Sequence, residues 1–389
     1  MGILFICGAL AAGEFAASFV PVFAEAWPLP ALLAVFVALL GYGLGWRGGH
    51  LAAVFLLGFA LYLSASVESE RLYREKPWMR GVRSYARQER RAPLVRAVKT
   101  DFSRRVGIGL GHDCETVALN RAILLGERAR LPMRTKRVFV ESGTMHVFAI
   151  SGLHVMAVAK VLVCLLALGG LSRRGAGVAA IPILWGYVYL IGSPPSAIRA
   201  VIMASSYYLA PLFWRRPNLL RAWALAFLLI HLVSPLMVTN VGNALSFSVM
   251  LALALAVEWE CRAGVRVPSV VLAVVVWAAG VPIAAHVFGR VTPGGIVANL
   301  VLITAATWTV FSGVVGVLAS FLSETLAAHL NNLSALCTQA MVGVSELVSR
   351  LPYANFEVGR WTFLQCAAWY LLIGLVMLLA KLIQSRKVF

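Results

Sequence analysis

Apolar runs long enough to cross the ~30 Å hydrocarbon core of a bilayer recur along almost the whole chain. They fall at 2–21, 29–46, 50–67, 153–170, 176–192, 197–214, 219–236, 239–258, 269–288, 295–321 and 361–383. Backbone in lipid must satisfy its polar groups within itself, and helices do this one segment at a time. The expected fold class is therefore all-α, a polytopic helical integral membrane protein with about 10–11 transmembrane helices. The chain is 60% hydrophobic and only 13% charged, where a soluble domain is about half apolar and a quarter charged. The first run, from Gly2 to Phe23, carries Glu14 and has no basic residues ahead of it. It reads as a span rather than a cleaved signal peptide. Glu14 is neutral, paired or facing water.

The basic residues orient the bundle. Arg47, Arg173, Arg174, Arg215, Arg216, Arg221, Arg262 and Arg266 fall on one side if the spans alternate, and the opposite short loops carry little beyond Arg199 and Arg290. The positive-inside rule then places the N-terminus in the cytoplasm and residues 68–141 outside. Twelve Lys and Arg residues between Arg71 and Arg105 make that segment strongly basic. With Tyr73, Trp78 and Tyr85 it suits stacked bases and phosphates, or it lies as an interfacial helix on anionic headgroups. Between Leu322 and Leu351, Leu326, Leu330, Leu333, Cys337, Ala340, Val344 and Leu347 recur at helical spacing. This predicts an amphipathic helix packed on the bundle or lying at the interface. If it does not cross, the C-terminus is outside, against the preference of Lys381, Arg386 and Lys387.

The expected organisation is a three-span region over 1–67, a basic outer segment over 68–117, a membrane core over 118–322, and an amphipathic helix with a last span over 323–389. Cys7, Cys114, Cys164, Cys261, Cys337 and Cys366 are scattered without a C-x-x-C pair. They suggest neither structural zinc nor a disulfide framework, and no metal or other cofactor is expected.

The most polar spot inside an apolar region is Glu141-Ser-Gly-Thr-Met-His-Val-Phe-Ala-Ile-Ser-Gly-Leu-His-Val155. Gly143 and Gly152 interrupt a helix more readily than they extend one. The reading is a broken helix with a half-helix starting near Ser151, buried in protein or lining a water-filled cavity. Such a helix start attracts anions. His146 and His154 then either hold the bend by hydrogen bonds, line a pore and touch phosphate, or act on a metal or in catalysis.

His146-Val-Phe-Ala-Ile-Ser-Gly-Leu-His-Val155 closely resembles the H-L-L-A-I-S-G-L-H-V signature of the ComEC competence proteins, inner-membrane channels for DNA uptake in natural transformation. Ala122-Ile-Leu-Leu-Gly-Glu-Arg128 resembles the family's segment before that signature, and Ser196-Ala-Ile-Arg-Ala-Val-Ile-Met203 its S-x-x-R-A-x-x-M span. Ser234-Pro235 with Gly242-Asn-Ala-Leu-Ser-Phe247, and Pro282 through His286 and Gly289 to Asn299, resemble two later stretches in the same order. Three features depart from the family. The outer loop shows no series of alternating strands for an OB-type domain, no H-x-H-x-D-H cluster marks a metallo-β-lactamase-like domain, and Ala244 stands where the family has Gln.

The resemblance implies a bacterial inner-membrane channel or permease that passes single-stranded DNA into the cytoplasm and need not be an enzyme. Its partners would be the DNA strand, the lipid bilayer and separate competence proteins: a DNA receptor, an ATP-driven motor and a nuclease. A homo-oligomer is also open. The chain has no Walker A motif, so any motor is another protein. Candidate pore or DNA-phosphate contacts are His146, Ser151, Gly152, His154, Arg199, Asn243, Ser246 and Asn299. For Arg199 the alternative is snorkelling to the interface, and for Asn243, Ser246, Ser248 and Asn299 it is helix packing. Two other functions stay open: a small-molecule or anion transporter using the broken helix as its binding site, and an intramembrane serine hydrolase pairing Ser151 with a distant His286.

Overall fold

The computed structural model describes residues 6–12, 93–111, 114–148, 150–362 and 364–373. The expected spans over 29–46 and 50–67, most of 2–21 with Glu14, the basic residues before Pro93 and the end of the last span lie outside the described residues. What is described is almost entirely helical: α1 (Pro93–Arg105), α2 (Cys114–Leu125), α3 (Met133–Glu141), α4 (Gly152–Leu168), α5 (Arg173–Leu190), α6 (Pro195–Leu209), α7 (Leu219–Val233), α8 (Val241–Ala263), α9 (Ser269–Phe288), α10 (Gly294–Ala319), α11 (Glu324–Ser349) and α12 (Leu364–Ile373). The strand content is one antiparallel pair, Arg290–Val291 with Phe356–Glu357. The chain is an all-α polytopic membrane protein. Among the described residues Pro195–Phe213, Val241–Cys261, Ser269–Phe288 and Gly294–Ala319 are long and apolar enough to cross a bilayer.

Local chemistry sets the helix ends. Ser172, Asn218 and Ser323 cap α5, α7 and α11 by accepting the backbone N–H of Gly175 (3.2 Å), Arg221 (2.9 Å) and Leu326 (3.3 Å), which satisfies donors that the first turn leaves open. Pro194 and Pro195 open α6 where no N–H is needed. Gly289, at φ +66°, ends α9 in the left-handed conformation that glycine adopts without strain.

The chain forms two compact units. The first comprises Met1–Phe102 with Leu162–Ala244, and its α6 packs on both α5 and α7. The second comprises Ser103–Val161 with Leu245–Phe389. Its centre is the α10–α11 pair, the most extensive contact among the described helices, with α2 against both helices, α3 against α11 and α9 against α10.

α11 exists as the spacing predicts, but a different face is buried. Leu326, Leu333, Ala340 and Leu347 of the apolar stripe are exposed, and Leu330, Cys337 and Val344 are half-buried. The buried face is Ala327, Asn331, Ser334, Ala335, Thr338, Met341, Ser345 and Val348. Small and polar residues allow close approach to α10 and α2 and hydrogen-bond across the interface. Thr338 donates to Asn120 Oδ1 (2.6 Å), Ser334 to the Thr309 carbonyl (3.1 Å), and Asn331 to the carbonyls of Arg105 (2.8 Å) and Ile108 (3.0 Å).

Candidate functional site at the broken helix

The site is built on a turn between α3 and α4 in the second unit. Gly143 sits at φ +74° and lies so close to Thr292 that a Cβ there would meet the threonine side chain. Ser142 and Thr144 are fully buried, their hydroxyls 2.6 Å apart, and Thr144 reaches Ser345 of α11 at 3.2 Å. A 3-10 turn, Met145–Phe148, follows, with Phe148 packed edge-on against Phe139 at 4.5 Å between ring centroids. α4 begins at Gly152, so the chain is broken between α3 and α4 as the glycines suggest.

Ser151 stands at the start of α4 and His154 one turn in. The Ser151 backbone N–H donates to His154 Nδ1 at 3.2 Å, and the Ser151 hydroxyl lies 2.9 Å from the same nitrogen. The His154 ring thus takes the part that Glu or Gln plays in a capping box, reaching back to the Ser151 backbone N–H. A backbone N–H can only donate, so Nδ1 is an acceptor and the neutral ring carries its proton on Nε2. His154 is 1% exposed, and Nε2 has no hydrogen-bond partner in the structure. A buried donor without an acceptor costs free energy, on the order of 1–3 kcal/mol. The arrangement is suited to receiving an acceptor from outside the chain.

Three further residues border this segment. His146, in the 3-10 turn, is exposed. Arg128 donates through Nε to the Phe148 carbonyl at 2.5 Å, and both Arg128 and His146 act electrostatically on the His154 ring. The Arg128 side chain is exposed, and arginine remains charged at any ordinary pH. Asn299 stands in the second turn of α10 with Oδ1 buried and unpaired. Gly295, one turn before it, faces the same turn: a Cβ there would lie 3.7 Å from the Ser142 and Gly143 carbonyls and 4.0 Å from Asn299 Nδ2, ordinary contact distances.

Of the residues expected from sequence, His146, Ser151, Gly152 and His154 thus share one segment, with Asn299 near its turn. Ser246 belongs to α8 in the second unit. Arg199 and Asn243 belong to the first unit. Arg199 is 2% exposed in the first turn or so of α6, so it is buried rather than snorkelling. Asn243 fastens a local turn, donating to the Met237 carbonyl at 3.0 Å and standing 3.4 Å from His231 Nε2, while His231 Nδ1 donates to the Phe227 carbonyl at 2.8 Å. Among the described residues no group of three His, Cys, Asp or Glu is placed to hold a metal.

The competence protein family profile matches residues 123–382, which takes in the turn, α4 and every helix through α12. The chain belongs to the competence protein family. Among curated proteins, the family resemblance extends to YcaI of Escherichia coli, an uncharacterised protein 23% identical over 265 residues, covering 64% of this chain and 35% of YcaI. ComE operon protein 3 of Bacillus subtilis is 28% identical over 141 residues, covering 36% of this chain and 18% of its own. Competence protein ComA of Neisseria gonorrhoeae is 32% identical over 156 residues, covering 37% of this chain and 21% of its own. The aligned part is between 18% and 35% of each of these relatives' own length. No solved structure matches the chain. Arg128 is the residue that sequence reasoning passed over. It ends the Ala122–Arg128 stretch already similar to the family's, so the signal was present but hidden in a basic run.

Proposed function

We propose that this competence-family chain forms the bacterial inner-membrane channel through which single-stranded DNA enters the cytoplasm during natural transformation. The observation that carries the reading is His154: its Nδ1 is committed to the helix start, and its buried Nε2–H has no acceptor among the described residues. A phosphate oxygen of a passing strand supplies that acceptor. The Arg128 charge favours an anion there, and the start of α4 adds its partial positive charge. Phosphates are common to every sequence, so such a contact is sequence-tolerant. A DNA receptor, a motor and a nuclease would be separate proteins.

The test is transformation of a deletion strain of the source organism, complemented with the wild-type gene or single variants. His154→Ala abolishes transformation, and His146→Ala lowers it less, at unchanged levels of membrane-inserted protein. Normal transformation in both variants would overturn the site.

One observation favours a serine hydrolase instead, the 2.9 Å approach of Ser151 Oγ to His154 Nδ1. The same nitrogen also takes the Ser151 backbone N–H, and among the described residues no acid orients the ring through Nε2, so helix capping accounts for the pair. His286, the other candidate base, places Nδ1 2.6 Å from the Trp361 carbonyl. An anion transporter would use the same helix start, and it predicts uptake of a small anion by proteoliposomes in the absence of DNA.

A further inference from the structure

We propose that α11 crosses the membrane beside α10 with its leucine face against lipid acyl chains, and that the chain between Arg105 and Gly143 crosses with them. The inference is independent of what passes through the protein.

α10 and α11 each have 26 residues. At 1.5 Å per residue each is about 39 Å long, more than the ~30 Å hydrocarbon core. They run antiparallel over their full length. Gly294 packs on Val348, Thr309 accepts from Ser334, and Gly316 packs on Asn331. Both ends of α11 are therefore level with the ends of α10, which is long and apolar enough to span. A helix lying flat at the interface cannot keep those pairings.

The polarity of α11 agrees. Asn331, Ser334, Thr338 and Ser345 face inward, while Leu326, Leu333, Leu336 and Leu347 are 42–65% exposed. α10 likewise exposes Val297, Val301, Ile303 and Trp308. A helix in water would turn the leucines in and the polar groups out; lipid favours the reverse. Of the outward polar side chains, Gln339 bonds Thr116 Oγ1 at 3.3 Å, His329 bonds the Thr325 carbonyl at 2.7 Å, and Asn332 lies in the first third of the helix.

The same hairpin fixes the path before the broken helix. Arg105 donates to Ser320 Oγ at 2.8 Å and lies 3.8 Å over the Phe321 ring, and Gly109 abuts Ala328. All three contacts are at the turn between α10 and α11. At the far end Arg134 meets Glu346 at 3.6 Å, Thr144 meets Ser345, and Gly143 abuts Thr292. Ser320 and Gly295 are about 37 Å apart along α10. If α10 spans, Arg105 and Gly143 emerge on opposite sides.

Charge gives the direction. Arg262, in the last turn of α8, and Arg266, between α8 and α9, mark a cytoplasmic end. α9 then leads out and α10 back in, so the α10–α11 turn is cytoplasmic, and with it Arg104 and Arg105. Arg104 then faces the cytoplasm with Arg105, and in this proposal the expectation that 68–141 lies wholly outside gives way to a crossing within it.

The test is labelling by a membrane-impermeant maleimide in a variant with its six native cysteines replaced. One of Thr100→Cys, Met133→Cys, Thr325→Cys or Arg350→Cys is then added, each at an exposed position. Met133→Cys and Arg350→Cys label in intact spheroplasts; Thr100→Cys and Thr325→Cys label only in inverted vesicles. Labelling of Thr325→Cys and Arg350→Cys from one side would leave α11 flat on the surface. Labelling of Thr100→Cys and Met133→Cys from one side would remove the crossing between them. Either result overturns the proposal.

Discussion

Asn331 on α11 donates its side-chain amide to the backbone carbonyl of Arg105 at 2.8 Å, across 226 residues of sequence. The same nitrogen serves the Ile108 carbonyl at 3.0 Å, so one amide ties off the end of α1 and the turn after it. Asn331→Leu keeps the volume and strands both acceptors. The expected loss is about 1–3 kcal/mol, read as a lowered unfolding temperature of the purified protein in detergent. An unchanged temperature would show that water reaches these carbonyls.

Gly109 offers a sharper stability test. Its φ of +82° is left-handed, and an added Cβ would overlap Ala328 on the facing helix. Gly109→Ala should cost about 1 kcal/mol in backbone strain and a further 1–3 kcal/mol from overpacking. Combining it with Ala328→Gly should recover the overpacking part and leave the strain. Full recovery, or none, would contradict the contact.

The Ser151–His154 pair separates capping from catalysis. Asparagine caps a helix as well as serine does, and alanine does not. Ser151→Asn should keep transformation near the wild-type level, while Ser151→Ala should destabilise the start of α4 by about 0.5–2 kcal/mol. Complete loss of function in a stable Ser151→Asn protein would revive the nucleophile reading.

Arg128→Gln removes a charge beside His154 and keeps a donor for the Phe148 carbonyl. Transformation at limiting DNA should fall about tenfold or more, the scale of one charge-assisted hydrogen bond. Arg128→Lys should fall between the two. Equal activity of all three proteins would exclude Arg128 from the DNA path.

Much of this architecture could be read from the residues. Gly143, Ser151 and Gly152 announced a broken helix, because glycine and a capping serine carry local conformational meaning. The periodicity of Leu326, Leu333 and Leu347 announced a helix, yet it pointed to the wrong buried face. Helical spacing defines a face without naming the medium outside it, and in lipid the apolar face turns outward. Arg128 was illegible for another reason: only the folded turn brings Phe148 and His154 to it. Nothing in the sequence singles out Asn331, since its partners Arg105 and Ile108 lie more than two hundred positions earlier.

The polar seam of α11 also bears on how the protein is made. Asn331, Ser334 and Thr338 find their partners on α10, α2 and the turn before α2. Entering lipid alone, α11 would carry those groups unpaired, at a cost its leucines offset poorly. Synthesis delivers α2 and α10 first, so the partners are already waiting when α11 leaves the ribosome. The smallest piece that the insertion machinery can release stably is thus α11 together with α10, α2 and the turn before α2, and a nascent chain ending within α11 should be held back or degraded.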